Sequence, residues 1–109
     1  MASGSIVKFR PNIGYATETL TVTNAVQVLT PGTYGPSTAT PGGAETAFIT
    51  NYGASIRYYY DGTTPSASVG HVLPDGGILT LVGQNQMVNF KCFRLSSTDS
   101  ILTVTYERE

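Results

Sequence analysis

The sequence predicts an all-β fold: a single-domain antiparallel β-sandwich of about eight or nine short strands, with jelly-roll-like or immunoglobulin-like connectivity. Three observations lead there. Apolar and polar residues alternate repeatedly at a period of two, and a period of 3.6 never persists for the length of a helix. Turn signals built from Gly, Pro, Asn and Asp recur about every ten residues. The segments between them are rich in Thr, Val and Tyr, residues that suit a pleated, half-buried surface.

Taken in order, residues 1–5 are expected to be flexible. Val7 and Phe9 then alternate with Ile6, Lys8 and Arg10, and Pro11 ends this first strand. Leu20, Val22, Val26 and Val28 share one parity against Thr19, Thr21, Thr23 and Gln27. That pattern predicts one half-buried strand, or a pair bent near Asn24-Ala25. Residues 31–44 hold three prolines and four glycines and are read as a long Gly/Pro-rich loop, neither strand interior nor helix. Strands follow at 45–51, around Phe48 and Ile49, and at 54–60. Asn51-Tyr52-Gly53 is read as the hairpin turn between them, with Gly53 at positive φ.

Asp61-Gly62 supplies the next turn, and Pro65 blocks immediate return to a central strand. A short strand is expected at 69–73, closed by Pro74-Asp75-Gly76-Gly77. Ile78 to Val82 is a compact apolar strand. Gly83-Gln84-Asn85 turns the chain into a strand from Met87 to Leu95, with Val88, Phe90 and Cys92 on one face. Ser96-Ser97-Thr98-Asp99 is the last turn. Leu102, Val104 and Tyr106 alternate with Ile101, Thr103 and Thr105 in the final strand, after which Tyr106-Glu107-Arg108-Glu109 is expected to leave the sheet.

With 109 residues the chain suffices for one domain and not for two independently cored ones. Charged residues make up only 12%, against about 25% in ordinary globular proteins. A surface so poor in charge is expected to be partly covered by neighbours, which points to a homo-oligomer, trimer or dimer. The cations Lys8, Arg10, Arg57, Lys91, Arg94 and Arg108 are scattered, so no basic stripe exists to neutralise phosphates and no nucleic-acid partner is expected. No apolar run approaches the ~20 residues of a membrane helix, so no membrane partner is expected. Met1 is followed by no apolar secretory segment, which suggests a product made in the cytoplasm. Cys92 is the single cysteine; it excludes an internal disulfide and, between Phe90 and Phe93, reads as a buried, inert thiol.

The chemistry-bearing residues point away from catalysis. His71 is the only histidine. Ser66, Ser68 and Asp75 lie near it in sequence, yet no Gly-X-Ser-X-Gly elbow is present and no oriented partner for a general base is indicated. Zinc would need a second His or a Cys pair. Asp61 and Asp75 both precede glycine, where Asp serves turn chemistry. A calcium ion shared between turns would require several converging oxygens. No phosphate-loop spacing occurs. No metal, cofactor or enzymatic activity is expected.

The tyrosines offer more. Ile56, Tyr58 and Tyr60 are expected to face the core, leaving Arg57 and Tyr59 on the outer face. There they either decorate the surface or form part of a contact, since Tyr and Arg are enriched at interface hot spots. Loop 31–44 is either a plain crossover between sheets or an arm that orders against a neighbour with Tyr34 as its anchor. Tyr34, Arg57, Tyr59 and Asp61 are therefore the candidate interaction residues. The competing reading is a small carbohydrate- or host-surface-binding module that uses the exposed tyrosines.

Ile56-Arg57-Tyr58, Asp61-Gly62-Thr63-Thr64-Pro65-Ser66, the glycine-bounded stretch Gly70 to Gly77 and the closing Leu102-Thr103-Val104-Thr105-Tyr106 carry a resemblance. They resemble small β-sandwich proteins encoded among the virion structural genes of tailed bacteriophages. The similarity covers residues 48–106; the first forty-odd residues match no motif of the group. It implies a non-enzymatic virion accessory protein, such as a capsid decoration, head-fibre or tail accessory component. The partners it implies are phage capsid or tail proteins, and the location is the virion. No catalytic residue and no cofactor come with it.

Overall fold

A computed structural model describes residues 13–36 and 42–109. The strand expected at 6–10, the flexible start at 1–5 and the middle of loop 31–44 lie outside the described residues. In chain order the elements are β1 (Ile13–Val22), β2 (Gln27–Val28), α1 (Pro31–Tyr34), β3 (Thr46–Tyr52) and β4 (Ile56–Tyr59). They continue with β5 (His71–Leu73), β6 (Ile78–Val82), α2 (Gln84–Val88), β7 (Lys91–Arg94) and β8 (Ser100–Arg108).

The strands form two four-stranded antiparallel sheets, ordered β1-β8-β3-β6 and β2-β7-β4-β5. This is the strand order of a jelly roll, a double-sheet sandwich of two Greek keys. The chain changes sheet at every connection except β4–β5, which is a hairpin within the second sheet. Asn51-Tyr52-Gly53 is thus a crossing between sheets and not a hairpin. Both edges of β3 are taken by β8 and β6, so β4 has no edge there to pair with. Gly53 does adopt φ 116°, and its N–H donates to the Asp75 carboxylate at 2.8 Å.

Alternation decides what faces the core. In the first sheet Ala47, Ile49 and Asn51 of β3 and Ser100, Leu102, Val104 and Tyr106 of β8 point inward and are buried. The second sheet answers with Ile56, Leu73 and Cys92, and Phe90 and Met87 close one end. Burying each large apolar side chain is worth roughly 1.5–3 kcal/mol, and this shared core holds the two layers together. Among the described residues no helix is long and apolar enough to cross a membrane.

Three further expectations are corrected. Residues 31–34 make one helical turn, with Pro31 at its start, where a missing N–H costs nothing. Residues 84–88 are a short helix, not the beginning of a strand, and β7 starts only at Lys91. Gln84 explains part of this: its amide donates to the carbonyls of Tyr34 (3.0 Å) and Ala44 (2.7 Å), tying α2 to the segment after α1. Finally, β8 does not end at Tyr106. Glu107 accepts from Thr46 Oγ1 at 2.7 Å, and Arg108 donates to the Gly43 carbonyl at 3.0 Å, so the strand stays in the sheet to its last turn.

Candidate functional site

The β4–β5 hairpin brings several aromatic and polar side chains together. β4 ends in Tyr58 and Tyr59, Tyr60 and Asp61 follow directly, and β5 opens with His71 opposite Tyr58. The long connection between the strands is folded back onto β4 by one side chain. Arg57 donates from Nε to the Ala67 carbonyl and from Nη1 to the Gly70 carbonyl, both at 2.9 Å. Gly70 makes the close approach possible, because at φ 135° a Cβ there would crowd Arg57, Pro65 and the Tyr58 nitrogen. At the other end of the loop, Gly62 N–H bonds the Asn89 carbonyl at 3.1 Å, anchoring the turn to the end of α2.

Within that frame the aromatic rings pack on His71. Ring centroids lie 5.4 Å from His71 for Tyr58, 5.5 Å for Tyr59 and 6.4 Å for Tyr60, and Tyr58 and Tyr60 stack at 6.4 Å. Tyr58 also packs on Phe90, so the cluster is rooted in the core. Its outer side forms a half-open pocket of about 190 Å³ lined by Tyr59, Tyr60, Asp61 and His71. The Thr63 N–H donates to Asp61 Oδ1 at 3.0 Å. That bond, with the Thr63 hydroxyl and the nearby His71, holds the Asp61 carboxyl below the usual carboxylate range. Burial, reinforced by Tyr60, pushes the Tyr58 phenol up, so it stays protonated at neutral pH.

The candidate residues are thereby sorted. Tyr59 and Asp61 meet in the pocket. Arg57 is not part of its lining, and its guanidinium is engaged with the chain's own loop. Tyr34 is corrected: it is 5% exposed, with its ring 5.9 Å from Tyr106 in the core. It anchors its loop to its own chain, because the helical turn after Pro31 aims the ring inward. Tyr60 and His71 were not among the expected contact residues. The core-facing place expected for Tyr60 is corrected: it sits past the last β4 residue, where strand parity no longer assigns a face, and is 42% exposed. Pairing of β4 with β5 is what brings in His71.

The serines and acid near His71 in sequence are not assembled around it. Ser66 and Ser68 bond one another within the loop, and Asp75 lies beyond the far end of β5, bonded to Gly53. Among the described residues no three His, Cys, Asp or Glu side chains converge as a metal site would require.

A second surface lies on the first sheet. Register places Thr17, Thr105, Phe48 and Thr80 in one outward row, with Thr19, Thr103, Thr50 and Ile78 in the next. Thr21, Ile101 and Tyr52 form a third. Among the described residues no charged side chain stands in any of these rows, and Tyr52 and Ile78 are 76% and 62% exposed.

Among the described residues, eight strands define a jelly-roll domain with an aromatic pocket on one sheet and a threonine-rich face on the other. No family model matches the chain, and no curated protein or solved structure shows significant similarity to it.

Proposed function

We propose that this chain is a non-enzymatic virion accessory protein that attaches to a phage capsid or tail lattice and to copies of itself. The observation that carries the reading is the outer face of the β1-β8-β3-β6 sheet, where three successive rows of described residues hold no charged side chain and Glu107 stands only at the border, beside Thr46. Exposed sheet faces and edges of soluble monomers normally carry Lys or Glu, which discourage association. Here threonines and the exposed Phe48, Tyr52, Ile78 and Ile101 stand in their place.

Such a face suits attachment on three physical grounds. With strands ~4.8 Å apart and ~3.4 Å per residue, it covers roughly 400–500 Å² in projection. That is about half of the ~800 Å² that each partner contributes to a standard interface, the size of a weak contact that repetition strengthens. Threonine is stiff at its first torsion, so covering it costs little side-chain entropy. Repetition in a symmetric assembly multiplies weak contacts by effective concentration. The resemblance to small virion β-sandwich proteins and the use of jelly rolls in viral capsids agree with this, the latter by analogy alone.

The test is the solution mass of the purified chain by light scattering, with cosedimentation on phage heads and tails. A dimer or trimer, or binding at a lattice-repeat stoichiometry, is expected. Thr50→Lys, in the middle of the face, should abolish it and leave the circular dichroism spectrum unchanged. A monomer at all concentrations that binds neither particle would overturn the reading.

A further inference from the structure

We infer that the pocket of Tyr59, Tyr60, Asp61 and His71 binds a single ring of a neutral saccharide. The proposal is independent of the sheet face, which belongs to the other layer of the sandwich. A sugar ring presents two chemistries at once: an apolar C–H face and a rim of hydroxyls. The pocket presents the complement of both. Tyr59, Tyr60 and His71 offer ring surface for the C–H face. The Asp61 carboxylate accepts hydroxyl protons, and the imidazole of His71 and the phenols can each donate or accept. The half-open volume of about 190 Å³ corresponds to about six liquid waters, room for one ring against its aromatic wall.

Geometry separates a sugar from the other guest that tyrosines and a carboxylate attract, an organic cation. A cation cage surrounds its guest with rings. Inserting a guest between two rings needs about 7–8 Å, twice a carbon–carbon contact. Of the lining rings, Tyr59 stands 5.5 Å and Tyr60 6.4 Å from His71, so no guest inserts between either phenol ring and the imidazole, and His71 meets a guest with one side only. The wall is pre-formed, because Arg57 fixes the loop and Thr63 fixes Asp61. Pre-organisation limits the ordering cost of binding, which matters for a ligand making so few contacts.

The experiment titrates the intact chain with glucose, galactose and N-acetylglucosamine, and with short oligomers of each. It is read by ligand-observed NMR and by intrinsic fluorescence, which comes from tyrosine because the chain has no Trp. Saturable binding of at least one sugar is expected, with Kd on the order of millimolar for a single ring. Tyr60→Ala and Asp61→Asn should each weaken it at least tenfold. Tyr52→Ala, on the opposite sheet, should leave it unchanged. Absence of saturation with every sugar would overturn the proposal. So would binding that survives both pocket substitutions, or saturable binding of tetramethylammonium in place of sugar. Because Tyr60 and Asp61 are exposed, neither substitution removes a core residue; an unchanged thermal transition of each variant confirms that a loss of binding is local.

Discussion

Glu18 on β1 accepts a hydrogen bond from the phenol of Tyr106 on β8, on the inner face of the first sheet. The same carboxylate accepts the Thr30 N–H at 3.1 Å and the Thr30 hydroxyl at 2.8 Å. Thr30 is the residue from which α1 starts, so one inward acid joins two strands and a helical turn. Tyr106→Phe should destabilise the chain by about 1–3 kcal/mol, the usual cost of removing a partner from a charged acceptor. Urea denaturation at pH 7 measures it.

The same phenol sets an alkaline limit. Burial first, and then the bond to Glu18, raises the Tyr106 pKa above its ordinary value near 10. A group whose folded pKa is raised contributes stability fully below the unfolded value and loses it as pH climbs above that value. Stability should therefore fall progressively above about pH 10. Tyr106→Phe should flatten that fall more than Tyr58→Phe, where burial also raises the phenol's pKa. Denaturation midpoints at pH 8, 10 and 11 distinguish the two.

Asn51 is a polar bolt in the core at the end where the sheets are joined by short crossings. Its amide donates to the carbonyls of Ala54 (2.8 Å), Leu73 (3.0 Å) and Pro74 (3.1 Å), and its oxygen accepts from the Ser100 hydroxyl. Asn51→Leu strands several carbonyls at once, and a loss of roughly 3–5 kcal/mol is expected. Ser100→Ala should cost less, about 1–3 kcal/mol. Thermal denaturation of the two variants should rank them in that order.

The Arg57 fork carries the β4–β5 connection. Lysine keeps the charge but cannot reproduce two fixed donors aimed at two carbonyls. Arg57→Lys should cost about 1–2 kcal/mol and open residues 61–70 to proteolysis. Limited digestion followed by mass spectrometry locates the first cut.

Cys92 should be inert in the native state. It is fully buried, and burial pushes its thiol up to about 12. Both access and thiolate are thus denied to an alkylating reagent at neutral pH. Its labelling rate should follow global unfolding, and should rise in Asn51→Leu in proportion to lost stability.

Much of this architecture is legible in the chain because period-2 alternation is a direct record of two faces. The apolar run Ile78 to Val82 coincides with β6, and Leu102, Val104 and Tyr106 all point inward as their parity requires. What parity cannot record is which strands are neighbours. Asn51-Tyr52-Gly53 has the composition of a hairpin turn, but the turn bridges two layers because β8, from the end of the sequence, already occupies one side of β3. Short helices escaped for another reason. Pro31 to Tyr34 and Gln84 to Val88 are each about one turn long, too brief for a 3.6 period to declare itself. Of the candidate site, Tyr59 and Asp61 were visible as local features. His71 joined them only through cross-strand pairing, and Tyr34 turned inward through a helical turn that its glycines and prolines disguised.

The place of β8 has a consequence for biogenesis. It fills the slot between β1 and β3, so during synthesis on the ribosome that layer stays split until residues 100–108 have emerged. A nascent chain would meanwhile hold two unsatisfied backbone edges a strand's width apart, and the rate of assembly would be governed by closing the longest loop in the molecule. The same gap would accept the β8 of another copy as readily as its own, making strand exchange the misassembly to which crowded synthesis of this molecule is most prone.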